Sequence, residues 1–233
     1  MSDTSRQVEG RRRFLTSMGV VATGATLAAT SSQAAQNSST DTHRFVPARH
    51  PGDAWLEQSG VSHRAFIDSA STQGGATALH YANNMLMVHA EDYGGSDADY
   101  ALVVCFRHQS TPFGYNDVIW EKYGEHLSAF MDIKDTRNSP EPFRQNPMRL
   151  KQSGLANRGN TVDALAARGV SFAICNRATL NISGFLARNT DGTAQDIYQE
   201  LLANNIPNSR FIPVGVLTVT RSQEYGYSLL YAG

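Results

Sequence analysis

The sequence predicts an α/β protein with three layers, α/β/α, built on a mostly parallel sheet of about five strands. Three observations lead there. Short apolar runs rich in β-branched and aromatic residues recur along the chain, Ala101 to Phe106 and Val170 to Ile174 being the clearest. Apolar runs of that length mark strands buried on both faces. Between them lie stretches whose apolar residues fall three and four apart, as in a helix with one buried stripe. Strand and helix alternate at the spacing of βαβ units, whose right-handed crossovers put helices against the faces of a parallel sheet.

The 233 residues, 41% hydrophobic and 18% charged with a formal net charge of −1, suffice for one domain with a real core. No Lys/Arg-rich run occurs beyond the N-terminus, which argues against a nucleic-acid partner. The two cysteines, Cys105 and Cys175, are too few for a disulfide scaffold and lack the paired spacing of a zinc site. In an oxidising compartment they are allowed to pair, so the sequence leaves open whether Cys175 is free or bonded to Cys105.

The N-terminus carries Arg11-Arg12-Arg13-Phe14-Leu15, a weakly apolar run from Met18 to Ala29, then the small residues of Ser32-Gln33-Ala34-Ala35. This resembles a twin-arginine export signal. The apolar run is too short and too polar for a stable membrane anchor. The expected organisation is a signal peptide over 1–34, a flexible lead-in over 35–60 and one α/β domain over 61–233. An irregular insertion at about 128–157 interrupts that domain. Removing 1–34 takes four arginines and two acids from 20 and 21, leaving 16 and 19 and a net charge of −3. The expected location is the periplasm, with no stable membrane insertion after signal removal. Twin-arginine substrates cross folded, so a preloaded cofactor remains open.

In chain order, Trp55 to Gly60 reads as a short capping helix and His63 to Asp68 as the first strand. Ser69 to Gly75 reads as a loop. Ala76 to Tyr93 is a long helix, with Leu79, Ala82, Leu86, Ala90 and Tyr93 on one stripe and Gly94-Gly95 after it. Ala101 to Phe106 is the second strand; Cys105 inside it reads as packing. Arg107 to Tyr123 is dense in Arg, His, Asn, Trp and Tyr directly after a strand. Polar and aromatic groups at that edge suit a ligand pocket, with Asn116 or Asp117 capping a helix to about Leu127; the alternative is a turn and helix that merely cover the sheet. Phe130 to Asn157, with Pro140, Pro142 and Pro147, has little periodicity and reads as a site cover or an oligomer contact.

Thr161 to Arg168 is helical, Val170 to Ile174 a strand, and a helix opens at Asn176. Thr193 to Asn204 is a further helix, Phe211 to Gly215 a strand, Thr218 to Tyr225 a short helix and Tyr227 to Tyr231 the last strand. No Gly-rich phosphate loop and no nucleophile-elbow serine appears. Cys175 stands out because it closes a buried strand where a helix begins. Open α/β sheets bind ligands at that edge, and a helix start stabilises an anion. Arg177 adds a full positive charge. The bland alternative is a small buried hydrophobe.

Gly169-Val170-x-Phe172-x-Ile174-Cys175-Asn176, Phe211-Ile212-Pro213-Val214-Gly215-Val216 and Arg221-x-Gln223-Glu224-x-Gly226-Tyr227 resemble the DsrE/DsrF-like family. These are small α/β proteins, several of them sulfur-relay subunits, and the resemblance covers roughly His63 to Ala232. It implies a DsrE-like domain and a sulfur-accepting cysteine at Cys175. It also implies a homo-oligomer, trimer or hexamer, with sulfur donor and acceptor proteins as partners.

Two functional expectations follow. The first is a sulfur carrier or sulfurtransferase with Cys175 as the acceptor, Asn176 and Arg177 beside it, and Arg107 and His108 orienting a donor. The second is a small-ligand or haem-binding protein using the Arg107–Tyr123 stretch. There His108 is the candidate iron ligand, and Asn116, Trp120, Tyr115 and Tyr123 line the pocket. A non-catalytic oligomeric subunit is the blandest outcome. Otherwise no metal or cofactor is expected.

Overall fold

The computed structural model of the protein describes residues 46–137 and 141–233. Its strands are β1 (His63–Ser69), β2 (Tyr100–Phe106), β3 (Ser171–Cys175), β4 (Ser209–Ile212) and β5 (Ser228–Ala232). They form one all-parallel sheet in the order β4-β3-β2-β1-β5. The helices are α1 (Thr72–Tyr93), α2 (Asp117–Met131), α3 (Val162–Ala167), α4 (Asn176–Ala187), α5 (Ala194–Ala203) and α6 (Gly215–Glu224). This is the expected three-layer α/β/α fold. The export signal over 1–34 and the start of the lead-in fall outside the described residues. No helix among the described residues is long and apolar enough to cross a membrane.

Strand alternation divides the core into two layers. Ile67, Leu102, Val104, Phe106, Phe172 and Ile174 pack with α1 to α5 on one face. Phe66, Val103, Cys105, Ala173 and Ile212 face the other way, toward Tyr225 and Tyr227 at the end of α6 and Leu56. The connections after β1, β2 and β3 therefore use one face, and the connection after β4 uses the opposite one. Between the carboxyl ends of β3 and β4 the two connections diverge. In open α/β sheets that divergence opens a crevice for ligands.

Several boundaries differ from the sequence expectation for physical reasons. The lead-in is ordered at its end: Pro51–Leu56 is a 3₁₀ helix, with Leu56 fully buried and its carbonyl accepting from Tyr227 Oη at 3.1 Å. α1 starts at Thr72, capped by Ser71, whose hydroxyl accepts from the Gly74 amide. Gly74-Gly75 read as a loop, yet both lie inside the helix, at positions with no room for a side chain. A Cβ on Gly74 would meet the Ala232 carbonyl, and one on Gly75 would meet Ser110 and Phe113. α6 likewise starts at Gly215, three residues earlier than expected, and shortens β4 to four residues.

The irregular insertion packs beneath α2. Phe143 and Met148 are fully buried, and Asn146 pins the segment by donating to the Phe113 and Tyr115 carbonyls at 2.8 and 2.7 Å. Arg149 bridges Asp117 and Asp163, both at 2.7 Å.

Candidate functional site

The crevice between β3 and β4 holds a cleft of about 120 Å³ lined by Arg107, His108, Cys175, Arg177, Ala178, Asn181, Val214, Gly215 and Val216. Cys175 ends β3 and caps α4, and it is 4% exposed. Its sulfur accepts a hydrogen bond from the Gly215 amide at 3.4 Å. Gly215 is the first residue of α6, so the starts of two helices, α4 and α6, meet at this sulfur. Unpaired amides and the macrodipole make each helix start electropositive.

Arg107 follows β2 and lays its side-chain stem against Gly215, where a Cβ would fall 2.7 Å from Arg107 Cδ and 2.9 Å from its Cβ. Its guanidinium forms a fork: Nε donates to Asp68 Oδ1 at 2.8 Å and Nη2 to Oδ2 at 2.9 Å. Asp68 is 4% exposed at the carboxyl end of β1. These hydrogen bonds, against the opposing effect of burial, hold Arg107 more firmly protonated than usual. A bidentate, largely buried pair of this kind fixes both side chains in place. Asp68 and Gly215 were missed in the sequence. The signal for Asp68 was a lone carboxylate ending a buried strand.

The expected site residues divide into two groups. Cys175, Arg107, His108 and Arg177 come together at the cleft. Asn116, Trp120 and Asn176 are not among its lining residues. Asn116 caps α2, accepting from Val118 N, and Asn176 accepts from Tyr198 Oη at 2.8 Å. Trp120 is fully buried and donates to the Pro112 carbonyl at 3.0 Å. Tyr115 Oη donates to Thr179 at 3.0 Å, and Tyr123 Oη bonds Glu200 at 2.7 Å. The aromatic rings that were to line a haem pocket are committed to the core, so the residues of this stretch do not fit that group. His108, exposed and in the left-handed region at φ 52°, stands at the cleft without them.

The two cysteines are both free. Cys105 pairs in register with Ala173, two residues before Cys175 on the adjacent strand. With ~3.3 Å rise per residue and ~4.8 Å between strands, their α-carbons stand about 8 Å apart. That exceeds the ~7 Å a disulfide spans without backbone movement. Burial, then the Asp68 charge, pushes the Cys105 thiol well above its ordinary range. Cys105 is therefore a protonated packing group, as its mid-strand position suggested.

A larger hollow of about 510 Å³ lies at the amino ends of the strands, lined by His63, Met85, Val88, His89, Tyr93 and Tyr100. The His63, His89 and Tyr100 rings pack on one another at 4.9 to 5.1 Å, and His89 bonds Asp99 at 3.2 Å. No cysteine lines it, whereas Cys175 lines the smaller cleft. Among the described residues no cluster of three or more His, Cys, Asp or Glu side chains could hold a metal ion.

Compared with known proteins, the chain matches no family, no curated protein and no solved structure.

Proposed function

We propose that this protein is a sulfur carrier or sulfurtransferase of the periplasm that accepts sulfur as a persulfide on Cys175. The observation that carries the reading is the position of one sulfur atom. Cys175 Sγ lies in a crevice at the diverging ends of two strands, 3.4 Å from an amide that opens a helix. Arg107 and Arg177 line the same cleft. A relay thiol must attack a sulfane sulfur as the anion and then hold the outer sulfur as an anion, and cations and amide dipoles favour both states.

The resemblance of the Gly169–Asn176 segment to sulfur-relay subunits supports the same reading. The arginine pair at Arg11 and Arg12 supports export. By that resemblance the working unit is a trimer or hexamer, and its partners are donor and acceptor proteins.

The test is to incubate reduced protein with thiosulfate or polysulfide and weigh it intact. The expected result is a gain of about 32 Da, one sulfur atom, that is lost in Cys175→Ser and kept in Cys105→Ala. No gain, or a gain that survives Cys175→Ser, overturns the proposal.

A further inference from the structure

We infer that the Cys175 cleft selects a small inorganic anion as its sulfur donor, thiosulfate being the simplest of the class; this rests on the reading of Cys175 as the sulfur acceptor. The first observation is charge. Arg107, Arg177 and His108 line the cleft, and no Asp or Glu does. The one carboxylate held against it, Asp68, has both oxygens engaged by Arg107 Nε and Nη2. Among the described residues, Arg107 Nη1 and the guanidinium of the exposed Arg177 make no hydrogen bond to protein, which leaves donors for an incoming anion. The Gly215 amide adds a donor at the sulfur itself.

The second observation is size. The cleft has a volume of about 120 Å³ and opens to solvent. An anion of a few heavy atoms fits in that space beside the thiolate.

The chemistry closes without an outside oxidant. The Cys175 thiol gives its proton to solvent, and the thiolate attacks the outer sulfur of thiosulfate. A new sulfur–sulfur bond forms, the old one breaks, and its electron pair leaves with sulfite. The products are the Cys175 persulfide anion and sulfite, so sulfur atoms and charge balance. The two arginines hold the sulfonate end and stabilise the charge that builds on sulfite as it departs.

The experiment uses a pair of probes of equal size and opposite demand. Iodoacetate and iodoacetamide alkylate Cys175 by the same displacement, one carrying a negative charge and one neutral. Rates are followed on the Cys175 peptide in the full-length protein, alongside the rate of thiosulfate loading. The expected result is an iodoacetate-to-iodoacetamide ratio above that of the urea-unfolded chain. It falls about threefold in Arg177→Gln at low salt, while thiosulfate, a dianion, loads about tenfold more slowly.

A ratio equal to that of the unfolded chain and indifferent to Arg177→Gln overturns the anion preference and leaves the persulfide reading standing. A high ratio with no sulfur gained from thiosulfate or polysulfide overturns the sulfur-acceptor reading and leaves an anion-attracting cleft.

Discussion

Replacing Gly215 with alanine tests whether the Cys175 site is held together as the geometry indicates. The added Cβ would stand 2.7 Å from Arg107 Cδ, 2.9 Å from its Cβ and 3.3 Å from its Cγ. Arg107 has no cheap way out, because two hydrogen bonds clamp its guanidinium to the buried Asp68. Forcing an extra carbon into such a site costs about 1–3 kcal/mol. Alanine returns up to ~1 kcal/mol over glycine in a helix. The net expectation is a loss of about 1–2 kcal/mol.

The clash is relieved most easily by lifting the start of α6, which lengthens the 3.4 Å contact between the Gly215 amide and the Cys175 sulfur. Urea unfolding measures the first effect, and the rate of iodoacetamide alkylation at Cys175 measures the second. The expected outcome is a lower unfolding midpoint with alkylation slowed severalfold. A variant as stable as the parent, alkylating at the same rate, would refute the proposed coupling of Arg107, Gly215 and Cys175.

Two further outcomes are expected. Asn146→Ala strips the Phe113 and Tyr115 carbonyls and the Met148 amide of their partner in a fully buried setting. It lowers the unfolding free energy by about 3 kcal/mol, read by urea titration. Asp97→Asn removes the fork from Arg168, whose hydrogen bonds, against the opposing effect of burial, hold the Asp97 carboxyl below its usual range. A depressed carboxyl contributes stability above its unfolded value, near pH 4, and loses it as pH falls through the folded value. For this partly exposed pair the difference from the parent is about 0.5 kcal/mol at pH 7 and is lost as pH falls through the lowered folded value in the same titration.

Much of the fold was legible because burial leaves a mark on composition. β2 and β3 are covered on both faces, and for that reason Ala101 to Phe106 is apolar throughout and Val170 to Ile174 is apolar but for Ser171 at the open end of β3. Cys175 was legible for the same reason, as the residue where such a run ends and a helix opens. Helix starts at glycines were not. Gly74 and Gly75 read as loop and Gly215 as a strand end; at each a neighbouring strand end or side chain occupies the space of a Cβ, so glycine there marks close packing.

The stretch after β2 divides between its two readings: Arg107 and His108 line the cleft, and the aromatic residues cover the sheet. Trp120, Tyr123 and Leu127 fall three and four apart, the stripe of a buried helix face, and all three turn inward. Their abundance beside a strand end resembled a pocket lining. Asp68 and Arg107 are 39 residues apart in sequence, and only the parallel pairing of β1 with β2 brings the carboxylate to the guanidinium. No local pattern contains that contact.

The most direct test of the Cys175 site is thiol mapping of the native protein. Reduced, folded protein is treated with a limiting amount of iodoacetamide, digested and read peptide by peptide. The expected result is label on Cys175 with Cys105 protected until urea is added. Label on Cys105 first, or on neither cysteine before unfolding, would contradict a reactive thiol at the mouth of the β3–β4 crevice.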